Sequence, residues 1–319
     1  MYTNSHLQFI DPNTINLEDD TFTLFPYDNG NPGDTLVTSI RQFGILHPPI
    51  ILQLEKNKHI ILAGRKRIKA ALGLDRHREI LCLCLPADTP GPQIFSIILE
   101  DALIGKQLSI VEQAVILEKA QAKCPQDEVL NMLKKLGHKP QKYILDTLIE
   151  LLSLGSDALQ AVHEGIIQQN NARKLLKLSA PDQKILVELI THLHLGGSKQ
   201  KKLIELCTEL IMRRKEALGT IINWFYPHRI MERNANIPQQ TSALLDWLNK
   251  ECYPKTSEAE ANFERLVSQL NLPSHYRLQH SKSFEDDTVV LSINFTSFSS
   301  MQHLLPEIIK VSSRKTSLI

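Results

Sequence analysis

A change of hydrophobic period near residue 105 constrains this chain more than any other feature. From residue 36 to about 105, short Ile- and Leu-rich runs alternate with amphipathic stretches, the mark of strands and helices taking turns. From Ser109 to about Leu218 the apolar residues recur at helical spacing, interrupted at Cys124-Pro125, Gly137-His138, Leu154-Gly155-Ser156, Ala180-Pro181 and Gly196-Gly197. The pattern predicts an α/β unit followed by an all-α unit of about six helices.

Within the first unit we expect a helix over 35–43, strands near 49–54 and 59–63, a helix over 65–73, a strand over Glu79–Leu85 and a helix over 92–104. Residues 1–35 carry Asp11, Glu18, Asp19, Asp20, Asp28 and Asp34, no Lys or Arg, and Pro12, Pro26 and Pro32; they read as an irregular lead-in with one short strand. Residues 219–255 contain Trp224-Phe225-Tyr226-Pro227 and read as a connector with one helix at 241–250. The end of the chain reads as a small α+β unit. Ser257-Glu258-Ala259-Glu260 has capping-box spacing and should open a helix with Ala259, Phe263, Leu266, Val267 and Leu270 on one face. Strands follow at Tyr276–Ser281 and Thr288–Phe295, separated by Glu285-Asp286-Asp287, and Ser299–Val311 should close as a helix with Met301, Leu304, Leu305 and Ile308 inward. The expected fold class is therefore α+β multidomain, divided at 1–105, 106–218, 219–255 and 256–319.

The chain has 319 residues, 42% of them hydrophobic, enough for two or three cores, and its net charge of +1 excludes a uniformly basic coat. Five cysteines lack framework spacing, and no signal peptide or bilayer-length apolar run is evident, so a reduced, cytoplasmic setting without membrane is expected. Any polyanion-binding surface must be local.

The best local candidate is Ile60-Ile61-Leu62-Ala63-Gly64-Arg65-Lys66-Arg67-Ile68-Lys69-Ala70-Ala71, where a strand ends in glycine and four cations crowd the first turn of a helix. Cations there oppose the helix macrodipole, whereas an anion is favoured by it and by the unpaired first-turn N–H groups. Upstream, Leu36–Ile50 reads as an amphipathic helix, a stop at Gly44 and a proline pair leading into a strand. A second candidate is the helix Glu128–Leu136, the turn Gly137-His138-Lys139-Pro140 and the helix Gln141–Leu152, the spacing of a helix-turn-helix. Lys134, Lys135, Lys139, Gln141 and Lys142 gather near its turn, where phosphate contacts set orientation; Asp146 and Glu150 on the second helix repel phosphate.

The order of elements over 36–71, together with Leu108–Ala114, Leu151–Leu154 and Glu164–Leu176, resembles the ParB family of DNA-partition proteins over roughly residues 34–195. The resemblance implies a ParB/sulfiredoxin-like N-terminal domain before a helix-turn-helix domain. It implies a nucleoid-associated homodimer that binds double-stranded DNA and a partition ATPase partner, with CTP and Mg²⁺ bound by the N-terminal domain. By that resemblance Gly44, Pro49, Ile50, Gly64, Arg65, Lys66 and Arg67 would bind nucleotide. Arg173 and Lys174 would join the lysines at the turn on DNA. The segment matching the family's third nucleotide motif is Glu100-Asp101-Ala102-Leu103-Ile104-Gly105, without the usual asparagine and arginine, and Arg65 replaces a usual glutamate. Glu100 is then the candidate metal ligand, and Glu100 or Asp101 the candidate catalytic group for CTPase-like hydrolysis. Alternatives are a nucleotide-dependent phosphotransferase or hydrolase using the same cradle, or a non-catalytic adaptor in which residues 256–319 pair chains or dock a partner.

Cys82 and Cys84 lie two apart on a strand with no second ligand pair near, and are read as core residues. His192 and His194 are read as surface residues. Lys199, Lys201, Lys202, Arg213, Arg214 and Lys215 form further basic runs beside the helix-turn-helix.

Overall fold

A computed structural model describes residues 5–24, 31–55, 58–74, 79–105, 107–223, 236–281, 286, 288–299, 301–302 and 305. The chain forms two compact units, 1–241 and 242–319.

The first unit begins with a five-stranded mixed sheet: β1 His6–Ile10, β2 Ile15–Asn16, β3 Ile50–Glu55, β4 Lys58–Ala63 and β5 Ile80–Pro86, in the order β1-β5-β3-β4-β2. β3 runs antiparallel to β4 and parallel to β5, while β1 pairs antiparallel along β5 from His6 opposite Cys84 to Ile10 opposite Ile80. The lead-in is thus more ordered than its prolines suggested, because β5 offers a free edge that β1 fills.

Side chains alternate across this sheet, so both faces are apolar. Ile51, Ile61, Ile80, Cys82 and Cys84 pack with Ile68 and Ala71 of α2 Arg65–Leu72, on which α1 Asp34–Phe43 rests. Ile50, Leu52, Leu62 and Leu85 face the other way, toward α3 Gly91–Gly105. The same apolar cluster continues through Leu117 of α4 Ile110–Gln121, Leu133 of α5 Gln126–Lys135 and Leu148 of α6 Lys142–Glu150. One core therefore runs from the sheet into the first helices of the helical stretch. Cys82 and Cys84 are fully buried core residues, and burial pushes the Cys82 thiol up to about 12.

The helical stretch continues with α7 Ser156–His163, α8 Gln169–Leu175, α9 Ala180–His192, α10 Gly197–Arg214 and α11 Leu218–Asn223, slightly more helices than the loop signals marked. One device recurs at three helix starts. A buried glutamine in the fourth helical position donates its Nε2 to the carbonyl five residues earlier: Gln113 to Leu108 at 2.9 Å, Gln183 to Leu178 at 2.9 Å and Gln200 to Leu195 at 2.8 Å. Each leucine is itself buried, so the pattern Leu-cap-x-x-x-Gln closes the helix entry on both its apolar and polar sides.

Ser109 caps α4 in a full capping box with Glu112, and Ser179 caps α9. His192 and His194 are exposed at the end of α9, as expected, with His194 in the left-handed region at φ 46°. The connector helix is longer than expected: α12 Ile237–Cys252 starts where Asn236 and Gln239 exchange side-chain-to-backbone bonds at 3.0 Å each. That Asn-x-x-Gln pair makes at α12 the kind of reciprocal cap that the sequence predicts at Ser257 for the next helix.

In the second unit, α13 Pro254–Gln269 opens three residues before Ser257, because a proline at the first position already has helical φ. The Ser257–Glu260 box therefore does not form, and Ser257 Oγ is buried without a hydrogen-bond partner among the described residues. β6 Tyr276–His280 and β7 Val289–Ile293 pair antiparallel as expected, and Phe263 of α13 meets His280 edge-on at 4.9 Å. No residue of α13 is buried, and Leu266, Leu270, Val289, Val290 and Leu291 are exposed. Most of the helix expected over Ser299–Val311, the 224–227 aromatic stretch and residues 285 and 287 of the acidic turn lie outside the described residues.

Candidate nucleotide and nucleic-acid sites

β4 delivers the chain to Gly64, which takes φ 91° and caps α2. A left-handed backbone suits glycine, and an added Cβ would stand 3.0 Å from Arg67 Nε, so the Arg67 side chain folds back over this turn. Its guanidinium donates to the His47 carbonyl at 2.7 Å and pairs with Asp101 at 3.5 Å. Arg67 thereby joins three segments that the sequence assigned to one site: the Gly44–Ile50 turn, the basic box and the acidic end of α3. Gly44 turns the chain at φ 74°, Pro49 and Ile50 are buried as the sheet begins, and Lys66 is exposed at the first turn of α2.

Arg65 is used differently. Its guanidinium donates to the Leu17 carbonyl at 2.5 Å, the Asp19 carbonyl and Thr23 Oγ1 at 2.8 Å, and lies 3.2 Å from Asp20. Lys119 of α4 reaches the same segment, donating to the carbonyls of Asp20 at 2.6 Å and Thr23 at 2.8 Å; its burial there lowers its pKa against the opposing pull of Asp20. Two cations thus hold the 17–23 lead-in by its backbone. Composition marked those acids but not the carbonyls between them, and Lys119 carried no local signal.

Glu100 pairs with Lys135 of α5 at 2.7 Å, and Asp101 with Arg67, so adjacent acids of α3 face the two candidate sites in turn. Mg²⁺ takes one or two carboxylates and completes its shell with water and phosphate oxygens, a donor set Asp101 fits from its place beside the box. Among the described residues no three His, Cys, Asp or Glu side chains group as a metal site by themselves.

The second candidate is built on a sharp turn. α5 ends with Gly137 at φ 88°, its N–H bonding the Lys134 carbonyl at 3.0 Å while the His138 N–H reaches back to Leu133 at 3.2 Å. That pair of bonds is a Schellman stop. Across it, α6 buries Leu145 and Leu148 and turns Lys142, Tyr143, Asp146 and Glu150 outward, with Lys134, Lys139 and Gln141 also exposed. Tyr143, which charge counting passed over, adds an exposed aromatic ring to this face; helical spacing from Lys139 would have found it. Arg173 is exposed on α8, whose main neighbours are α7 and α10, while Lys174 bonds Glu205 of α10 and holds that carboxyl below its usual range.

No family model matches the chain. A probable chromosome-partitioning protein ParB of Campylobacter jejuni is 29% identical over 174 residues, spanning 54% of this chain and 59% of that protein. A nucleoid occlusion protein of Bacillus cereus is 28% identical over 189 residues, spanning 57% and 61%. Over these stretches this chain is similar to the ParB family. It spans about three fifths of the length of these curated ParB-family relatives. A C-terminally truncated ParB from Caulobacter crescentus, solved with CTP-gamma-S, matches 58% of this chain and 99% of its own at 17% identity and a TM-score of 0.25. The same protein complexed to the centromeric parS site matches 62% and 97% at 18% identity and a TM-score of 0.29. Among the described residues no helix is long and apolar enough to cross a membrane.

Proposed function

We propose that this chain is a ParB-like double-stranded-DNA-binding protein serving chromosome or plasmid partition or related transcriptional control. The observation that carries the reading is that a chain similar over more than half its length to ParB and nucleoid occlusion proteins also holds a glycine-turned basic box and a helix pair with an outward lysine-bearing face. Residues 1–105 serve as the phosphate and nucleotide domain, 106–218 as the DNA-binding domain, 219–255 as a connector and 256–319 as the pairing unit.

In this reading the triphosphate of CTP is held by the first turn of α2 with Lys66 and Arg67, displacing Asp101 from Arg67, while Arg65 keeps the lead-in in place. Asp101 or Glu100 would supply the carboxylate that Mg²⁺ takes alongside the phosphates. Lys134, Lys139, Gln141 and Lys142 contact duplex phosphates, joined by Tyr143, Arg173 and, when freed from their acids, Lys135 and Lys174. The exposed apolar surfaces of α13 and β7 are suited to a second copy, since a helix and a two-stranded sheet bury too little alone. The homodimer, nucleoid association and a partition ATPase partner belong to the same reading.

Two titrations test it. Retention on duplex DNA should fall steeply with salt, as counterion release requires; no retention at low salt removes the DNA function. A panel of nucleoside triphosphates with Mg²⁺ should show CTP bound more tightly than the others, and loss of binding in Arg67→Ala. Absence of all triphosphate binding removes the clamp while leaving DNA binding standing.

A further inference from the structure

Three buried glutamines close helix entries in the same way, and they differ in what their other end receives. Gln183 Oε1 accepts the backbone N–H of Gly155 at 2.8 Å, before α7. Gln200 Oε1 accepts Asn171 Nδ2 at 3.1 Å, in α8. Gln113 Oε1 meets His138 Nε2 at 2.8 Å, and His138 is the residue directly after Gly137 in the turn between α5 and α6. Of the three, Gln113 is the one tied to the candidate DNA-contacting turn.

The atoms fix the direction of every bond. Leu108 offers a carbonyl, which only accepts, so the Gln113 amide nitrogen faces it and the amide oxygen faces His138. His138 Nε2 must then carry the proton. Gln113 lies four residues past Ser109, whose Oγ is 2.8 Å from His163 Nδ1 at the end of α7, so this helix entry is held from two sides. Its position is therefore held by contacts other than the one to the turn at 137–140.

We propose that Gln113 is a positioning residue for duplex binding: by accepting from His138 it sets the angle at which Lys139, Gln141 and Lys142 meet the phosphates. The inference rests on the DNA-binding reading above. Freed of that bond, the turn and the start of α6 sample other arrangements, and only the fraction still correctly set binds. A lost buried bond of this kind shifts such a balance by about five- to thirtyfold.

The other two glutamines supply the control. Full-length Gln113→Leu, His138→Ala and Gln183→Leu are titrated with a random-sequence duplex from low to moderate salt, with circular dichroism confirming native helix content. Gln113→Leu and His138→Ala should bind about five- to thirtyfold more weakly at each salt concentration with the parent's salt slope, because the bound state keeps its phosphate contacts and only the correctly set fraction falls. Gln183→Leu should stay within about twofold of the parent although it removes an equivalent buried bond. The proton on His138 Nε2 should give a slowly exchanging imidazole signal in the parent and in Gln183→Leu, and none in Gln113→Leu. If Gln113→Leu does not fold, His138→Ala decides, since it leaves the Gln113–Leu108 bond intact.

Parent-like binding by both Gln113→Leu and His138→Ala, or an equal loss in Gln183→Leu, overturns the inference. A parent protein that binds no duplex overturns the underlying reading instead, and the two failures are told apart by that single measurement.

Discussion

Arg65→Met separates anchoring from phosphate binding in the basic box. The methionine keeps most of the aliphatic stem and removes the guanidinium, whose side chain is only 17% exposed and which donates to Leu17 O, Asp19 O and Thr23 Oγ1. A hydrogen bond to a charged group contributes about 1.5–3 kcal/mol, but carbonyls of a surface segment regain water when the donor leaves, so three bonds do not triple the figure. The pair with Asp20, a carboxylate 60% exposed, adds at most about 1 kcal/mol. We expect a local loss of about 2–4 kcal/mol in the stability of the 17–23 segment. Amide hydrogen exchange at Thr21 and Thr23, whose N–H groups bond Asp19 Oδ1 and Asp20 O, reads this directly. Protection there should drop about thirty- to several-hundredfold while triphosphate affinity stays within about threefold. Because Lys119 holds the same segment by the carbonyls of Asp20 and Thr23, Arg65→Met combined with Lys119→Met should cost less than the sum of the two single changes. Unchanged exchange at Thr21 and Thr23, or lost triphosphate binding with those amides still protected, refutes the assignment and returns Arg65 to the phosphates.

Gly137→Ala should destabilise the first unit by about 1–2 kcal/mol in urea unfolding, since φ 88° there is costly for any residue with a Cβ although the space around it is open. A cost below about 0.3 kcal/mol would mean the Schellman stop relaxes without penalty. His138 is held below its ordinary 6.5 by desolvation. The unfolded chain therefore takes up a proton first as pH falls below about 6.5; this group adds nothing above that value, and stability declines from there to its lower folded pKa. His138→Gln should flatten that part of the stability profile, and an unaltered slope would show that other groups produce it. Cys82 and Cys84 should resist a thiol reagent at neutral pH until the sheet opens, because both are fully buried and burial raises both pKa values; rapid labelling of the native protein would contradict the packing.

Apolar alternation and glycine or proline punctuation were local enough to read directly. The β3–β4–α2–β5–α3 order, the pairing of Cys82 with Cys84 on one strand face and the helical run after Ser109 all follow from side-chain periods that do not depend on what lies opposite. Two glycine turns, at 64 and 137, were legible for the same reason, since each needs a φ that other residues avoid. Capping was less legible: Asn236 and Ser257 both begin a passable box, yet of the two only the one at Asn236 forms, because Pro254 starts α13 three residues before Ser257.

What a long polar side chain does was decided only by the fold. Arg65, Lys66 and Arg67 are consecutive and chemically alike, yet one holds two carbonyls and a hydroxyl 42–48 residues away, one is exposed and one folds over Gly64 to reach His47 and Asp101. Gln113 and His138 sit 25 positions apart with no motif linking them until two helices and a turn bring them to 2.8 Å. The physical reason is range. A hydrophobic period is summed over a whole element and survives in one dimension, whereas a hydrogen bond needs two particular atoms within about 3 Å, and which atoms meet is a property of the packed chain.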